Sequence, residues 1–343
     1  MNPREGKKKI NVALQGAGAH GAFAWGVLDK FLEDDRVEIE GISSTSAGSM
    51  NAAVYAFGVM KGNAFAREAL HHFWKSISDV GQSYGMVKLT PIEKLMGVKI
   101  EHAVSTALSK MLIGILPPHI INPTNFNPMR QILGEAIDFE ELNKNAKTKL
   151  FFTATNVRSG RTEVFDSSTI SIDVILAGSC FPHLSNAVEI DSEHYWDGSF
   201  MGNPVLYPLI YSCDSRDILV VHNNPIERPG VPTSADDIAN RVSEITFNTS
   251  LIKELRAIYF VQQMQNQGWI KDEFKDKLKH VFIHSLRADA AMMDLSVASR
   301  FSYDWDFLMM LRDRGRSFAA NWLTKNFDHL NVRSSVDLAK EFM

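Results

Sequence analysis

Cysteine is scarce in this chain: 343 residues contain two, Cys180 and Cys213, and neither belongs to a CxxC pair. That excludes a disulfide framework and a cysteine-based metal or redox site, and it favours a reduced, cytoplasmic setting. An excess of one charge is lacking too. The 36 Lys and Arg nearly balance the 40 Asp and Glu, for a formal net charge of −4. Such a balance provides no global attraction to nucleic acid, and no zinc-finger or basic-region pattern appears. Internal repeats and low-complexity tracts are absent as well. Beyond the amino terminus, no apolar run approaches the ~18 uncharged residues of a membrane-spanning helix. The start, "MNPREGKKK" then "INVALQGAGAHGAFAWGVL", superficially resembles a secretion signal, but Gln15 and His20 interrupt it and the stretch has a better reading as part of the fold.

What is present is ordinary globular material. Hydrophobic residues make up 45% and charged residues 22%, enough to bury a large core in one elaborated α/β domain or two domains. Lys9 to Leu14 reads as a short apolar strand, and Ala22 to Leu32 as a helix with Phe23, Val27, Leu28 and Phe31 on one side. Between them lies Gly16-Ala17-Gly18-Ala19-His20-Gly21. A glycine-rich turn before a helix aims unpaired N–H groups at negative charge. Two anions suit it. One is the pyrophosphate of a dinucleotide, which makes the chain an NAD(P)-type oxidoreductase and wants an acid near the end of the next strand, a role open to Glu38 or Glu40. The other is the oxyanion that exists only during acyl transfer.

A second motif favours acyl transfer. Ser44-Thr45-Ser46-Ala47-Gly48 stands between an extended run ending at Ile42 and a small-residue helix beginning near Gly48. Small residues around a central serine are what a sharp strand-to-helix turn needs, because the backbone is strained and neighbouring elements approach closely. Such a turn exposes the Ser46 hydroxyl at a helix N-terminus, with the Ala47 N–H available to an oxyanion. If the two strands are neighbours, the loop at Gly16 to Ala19 supplies further donors.

These residues resemble the patatin-like phospholipases, whose loop usually reads G-G-G-x-R/K-G and whose nucleophile turn usually reads G-T-S-A-G. That family carries a third signature, D-G-G or D-G-A, and Asp197-Gly198-Ser199 occurs here in the expected order and spacing. The flanking text "LAGSCFPHLSNAVEI" and "NPVLYPLI" is similar too, so the resemblance covers roughly residues 8 to 222. Departures fall at Ala17, His20, Ser44 and Ser199, and none removes a catalytic side chain. His20 matters most, because a cation is usual there. The resemblance implies a three-layer α/β/α fold with a mainly parallel sheet, and a catalytic dyad in which Ser46 attacks an acyl carbonyl and Asp197 takes its proton directly. No metal or organic cofactor is needed. A carboxylate of ordinary pKa, ~3.9, is a weak base for a serine, so the site must raise it by desolvation or lean on the oxyanion hole. Gly16, Ala17, Gly18, Ala19 and Ala47 are the candidate oxyanion residues; His20, Gly21, Ser44, Gly48, Gly198 and Ser199 support the motifs.

A Ser-Asp-His triad is the alternative wiring, and its usual order needs a histidine after Asp197, which His222, His280 or His284 could supply. His183 has no assigned role. Ile100, Ala103, Val104, Ala107, Leu108, Met111, Leu112 and Ile115 share one helical face, and with the turn-rich run punctuated by Pro117, Pro118, Pro123 and Pro128 they make residues 75–130 a cap-like insertion. The organisation expected is a core over 8–230 and a mostly helical extension over 231–343 packed on it, with a strand near 280 to 285. The expected partner is a lipid or other acyl ester, with peripheral membrane contact open to Lys7, Lys8 and Lys9. A fold that binds lipid without turnover is the remaining alternative.

Overall fold

The computed structural model describes residues 6–84, 117–275 and 277–343. Eight strands form one sheet: β1 (Lys8–Leu14), β2 (Val37–Ser44), β3 (Lys149–Asn156), β4 (Thr162–Asp166), β5 (Val188–Ile190), β6 (Glu193–Asp197), β7 (Asp217–His222) and β8 (Phe282–Arg287). The spatial order is β5-β6-β3-β2-β1-β7-β8, with β4 also paired to β3. The five strands from β3 to β8 run parallel, and β4 and β6 join β3 antiparallel. β5 and β6 form a hairpin whose turn residues Asp191 and Ser192 both take positive φ, 51° and 65°, the backbone twist that matches a tight two-residue hairpin.

Alternation along the strands sends side chains into two separate cores. Val12, Leu14, Leu150, Phe152, Leu219, Val221 and Leu286 enter one. Ala13, Phe151, Ile218, Val220 and Ile283 enter the other. Burial on both faces is why these strands read as continuous apolar runs and not as clean alternation. On the first face pack α1 (Gly21–Asp34), α2 (Ala47–Lys61), α3 (Asn63–Tyr84), α4 (Pro128–Ala136) and α5 (Ile172–Gly178). α6 (Ala235–Asn266) covers the second face through Leu251, Leu255 and Ile258, and α7 (Trp305–Asn326) returns to the first.

The helix α1 differs from the one-sided pattern expected of it. Residues around its whole circumference are buried, including Ala24, Trp25 and Asp29, because α7 lies across its outer side. The two helices cross at glycines. A Cβ on Gly26 would sit 2.0 Å from Arg312 O, and one on Gly315 would sit 2.0 Å from Phe23 O, so only glycine permits this backbone approach.

Two expectations about boundaries change. Residues 75–84 continue α3 and do not begin an insertion. Within the run expected to be turn-rich, Pro118 and Pro128 open helical segments, Pro118–Ile121 and α4, where a missing N–H costs nothing. The apolar stripe from Ile100 to Ile115 lies outside the described residues. In the carboxy-terminal region, β8 adds to the edge of the main sheet beside β7, while α7 packs on α1. Among the described residues no helix is long and apolar enough to cross a membrane.

Candidate active site

The strand register brings the three motifs together. Leu14 pairs with Ser44, so the glycine loop and the serine turn leave adjacent strand ends at one level. β3 pairs with β4 along one edge from Phe151 to Thr155, which leaves its other edge for both β2 and β6. There Ser44 sits opposite Phe152 and Asp197 opposite Ala154, so β2 and the antiparallel β6 meet head-on. Thr153 lies between. Its hydroxyl is 2.5 Å from that of Thr45, which also donates to Gly202 O at 2.8 Å. Thr155 Oγ1 donates to Asp197 O at 2.9 Å. One strand thus holds the serine turn and the aspartate loop in register.

Ser46 takes φ 54° and ψ −126°, a conformation costly for a residue with a side chain. Its hydroxyl makes no capping bond to α2, which begins at the next residue. The turn is tight because its neighbours are small: a Cβ on Gly48 would lie 2.6 Å from Leu14 O, and one on Gly21 would lie 2.8 Å from Ala47 Cβ. Ser44, where glycine is usual, is buried at the end of β2 and donates to Ser49 Oγ at 3.1 Å.

Asp197 is buried, and desolvation raises its carboxyl above the usual range. Opposing that rise are the Ser199 hydroxyl, the Ser199 N–H donating to Oδ1 at 2.8 Å, and the Ser46 hydroxyl. No cation or histidine stands among these partners. Gly198 is held against β3, where a Cβ would meet Thr153 O at 2.3 Å.

The glycine loop divides into two parts. Gly16, expected among the oxyanion donors, instead gives its N–H to Asn203 Oδ1 at 2.7 Å. Its carbonyl accepts from Asn203 Nδ2 at 3.3 Å and Asn224 Nδ2 at 3.1 Å. The N–H groups of Ala17, Gly18 and Ala47 carry no hydrogen bond from the surrounding fold among the described residues. Ala19 is fully buried in the single turn Gly18–His20. Gly18 has φ +57°, and a Cβ there would lie 2.6 Å from Arg300 O. His20 is not the cation that the motif usually carries. It is buried with Nε2 2.7 Å from Ser299 Oγ, and desolvation, followed by the charges of Arg300 and Arg228, holds its pKa well below the ordinary value.

The residues that the motifs did not reveal are the polar ones beneath this loop. Gln15 Nε2 donates to Asn248 Oδ1 at 2.9 Å and to Asn203 O at 3.2 Å, and Gln15 Oε1 accepts from Asn224 N at 3.0 Å. Arg300 Nη2 donates to Asn224 Oδ1 at 2.7 Å. The only sequence signal was Gln15 itself, a polar residue interrupting an apolar stretch.

The histidines take other places. His222 is buried with both ring nitrogens unpartnered, stacked at 6.2 Å on Phe342, and burial depresses its pKa to about 3. His284 Nε2 lies 2.8 Å from Asp217 Oδ1, and His280 Nδ1 lies 2.8 Å from Gln265 Oε1. His183 is exposed beside Phe181. The dinucleotide reading fails on geometry: Glu38 and Glu40 precede the carboxyl end of β2, where a ribose-binding acid belongs. Glu40 accepts from the N–H groups of Asp214 and Ser215 at 2.7 and 2.8 Å and pairs with Lys149 at 3.2 Å, a structural use.

The family model described as patatin-like phospholipase matches residues 12–210, more than half of the chain. The comparison with curated proteins gave no match. Among solved structures, the chain aligns with VipD from Legionella pneumophila at 12% identity and a TM-score of 0.35, covering 89% of this chain and 66% of that one. It also aligns with the heterodimeric ExoU-SpcU complex of the Pseudomonas aeruginosa type III secretion system, at 16% identity and a TM-score of 0.30, covering 71% and 51%. The chain therefore spans less than two thirds of the length of these neighbours. By the match over its strand, serine and aspartate motifs, this chain belongs to the patatin-like phospholipase family.

Proposed function

We propose that the chain hydrolyses a carboxylic ester of a lipid through a Ser46–Asp197 dyad and an acyl-enzyme. Family membership supports lipid acyl hydrolysis in general. The finer reading rests on one observation: a buried carboxyl, raised by desolvation, whose polar partners are the Ser46 hydroxyl and Ser199, with no histidine or cation among them. A base with that environment, aimed at a hydroxyl on a strained turn, is suited to direct proton transfer.

In the first half-reaction Asp197 accepts the Ser46 proton as Oγ bonds to the acyl carbon, and the carbonyl electrons move to oxygen. The N–H of Ala47, with those of Ala17 and Gly18 across from it, receives the oxyanion. The intermediate collapses by breaking the ester C–O bond, and Asp197 returns its proton to the departing alkoxide. Water, deprotonated by the same carboxylate, then attacks the acyl-serine, and Ser46 regains its proton as the carboxylic acid leaves. Apolar surface lies close by in the chain: Phe200 and Met201, 40% and 44% exposed, come just after the Asp197-Gly198-Ser199 motif, and Phe181 stacks on Phe200 at 5.9 Å. That surface suits an acyl chain.

The test is intact-mass analysis after treatment with a fluorophosphonate, comparing wild type, Ser46→Ala and Asp197→Asn. A single adduct on wild type, lost in Ser46→Ala and strongly slowed in Asp197→Asn, is the expected result. A folded wild type that takes no label would reject turnover by this dyad and favour lipid binding without hydrolysis.

A further inference from the structure

Beneath the glycine loop lies a buried charge that the dyad does not use. Arg300 is 7% exposed, yet no carboxylate stands within ion-pair distance of it among the described residues. Its guanidinium reaches Asn224 Oδ1 through Nη2 at 2.7 Å and Ser243 Oγ through Nη1 at 3.2 Å; Nε has no partner, and Cζ lies 5.2 Å from the Phe247 ring. Glu244, the acid whose charge acts on it, is engaged by Arg228 and Arg241. Burial of a cation without a direct counter-ion is unfavourable, and packing alone does not require it.

Of the two hydrogen bonds from Arg300, the one to Asn224 leads to the glycine loop. Asn224 accepts from Arg300 through its side-chain oxygen and donates from its side-chain nitrogen to Gly16 O at 3.1 Å. Gly16 C=O and Ala17 N–H are the two ends of one planar peptide unit, so a donor on the carbonyl turns the N–H away from it and sharpens that N–H as a donor. Asn203 Nδ2 donates to the same carbonyl at 3.3 Å, while its Oδ1 accepts from the Gly16 N–H of the preceding peptide unit at 2.7 Å. Meanwhile the Arg300 backbone packs against Gly18, so the loop's shape depends on the main chain of residue 300 and its polarisation on the side chain.

We propose that Arg300 is a positioning residue for the oxyanion hole: it acts through Asn224 on the Gly16–Ala17 peptide and so strengthens the Ala17 N–H toward the transition state. The relay brings a positive charge from the carboxy-terminal region to bear on the loop in which His20 is neutral. The proposal rests on the Ser46 acyl-enzyme reading.

The experiment uses the full chain with Arg300→Met, Arg300→Lys, Asn224→Ser and the Arg300→Met/Asn224→Ser double variant. Each is measured for melting temperature, kcat and KM on a soluble acyl ester, and Ki for an acyl trifluoromethyl ketone, which forms a tetrahedral oxyanion on the serine. Expected are a roughly tenfold fall in kcat for Arg300→Met with KM unchanged, and a parallel rise in Ki. Arg300→Lys should recover part of the rate, and the double variant should lose no more than the larger single loss, because both act in one chain of bonds. A merely structural role would move KM or melting temperature without the parallel change in ketone affinity. If wild type turns over and forms the serine adduct but Arg300→Met matches it in kcat and Ki, the relay is overturned while the dyad stands. If wild type neither turns over nor forms an adduct, the dyad reading has failed first. Should Arg300→Met not fold, Arg300→Lys and Asn224→Ser carry the same comparison.

Discussion

Replacing Gly16 by alanine probes the closest approach between the glycine loop and the nucleophile turn. An added Cβ would lie 2.7 Å from Ser46 Cβ and 2.9 Å from Thr45 O. Gly16 is outside the positive-φ region, so the methyl acts by contact and not by backbone strain. Apolar carbons settle at roughly 3.5–4.0 Å, which leaves a shortfall of about 1 Å. Neither wall yields easily: Ser46 is fixed by its turn, and Gly16 is clamped on both polar groups by Asn203. The loop must therefore open against the serine. Overpacking of this kind costs about 1–3 kcal/mol of stability. The catalytic loss is larger in relative terms, since a displacement of about 1 Å between reacting groups can cost on the order of 100-fold, or about 2.7 kcal/mol of barrier. The assay is kcat on a soluble acyl ester beside a thermal melt. Gly134→Ala in α4 is the control: its Cβ would meet nothing closer than Ile172 Cδ1 at 3.6 Å. That change should leave kcat alone and add about 0.5–1 kcal/mol through helix propensity. A Gly16→Ala protein with wild-type kcat would refute the apposition of loop and turn.

Three further outcomes follow from the titratable groups. Asp197 must be charged to act as a base, and burial raises its pKa above that of an ordinary aspartate, so kcat/KM should climb with pH to a plateau whose midpoint lies above the ordinary carboxylate value; a midpoint at or below it would count against the desolvated base. The same shift has a thermodynamic sign. Above its unfolded pKa a raised carboxyl binds more protons folded than unfolded, so stability falls as pH rises through that window, and Asp197→Asn should melt higher than wild type at neutral pH with the gain fading in acid. His222 works the other way: with its pKa depressed from 6.5 to about 3, folding loses stability as pH falls through that interval. His222→Leu should resist acid better and keep its esterase activity, and loss of that activity without unfolding would revive a histidine triad.

Each motif was legible because its chemistry is local. A glycine turn between an apolar strand and a helix, a serine among small residues, and an aspartate before glycine all constrain their own backbone, and the elements observed around them begin and end within a few residues of the expected places. Strand β8 was visible for the same reason, close to the strand expected near 280 to 285. The use of α1 was not legible, since burial around its full circumference depends on a glycine-to-glycine crossing with a helix nearly 300 residues away.

By itself the sequence determined the chemical groups, their order and the local turns that present them, because φ/ψ preference and apolar period act over a few residues. Tertiary structure alone decided which groups meet. The head-on junction of β2 and β6 along one edge of β3 sets Ser46 before Asp197, and pairing over more than 100 residues has no local signature. The same holds for hydrogen bonds: Gly16 could have offered its N–H to an oxyanion, but Asn203, brought beside it from 187 positions away, claims it. A buried polar group takes whatever partner the fold places within reach, and that assignment exists only once the chain has closed on itself.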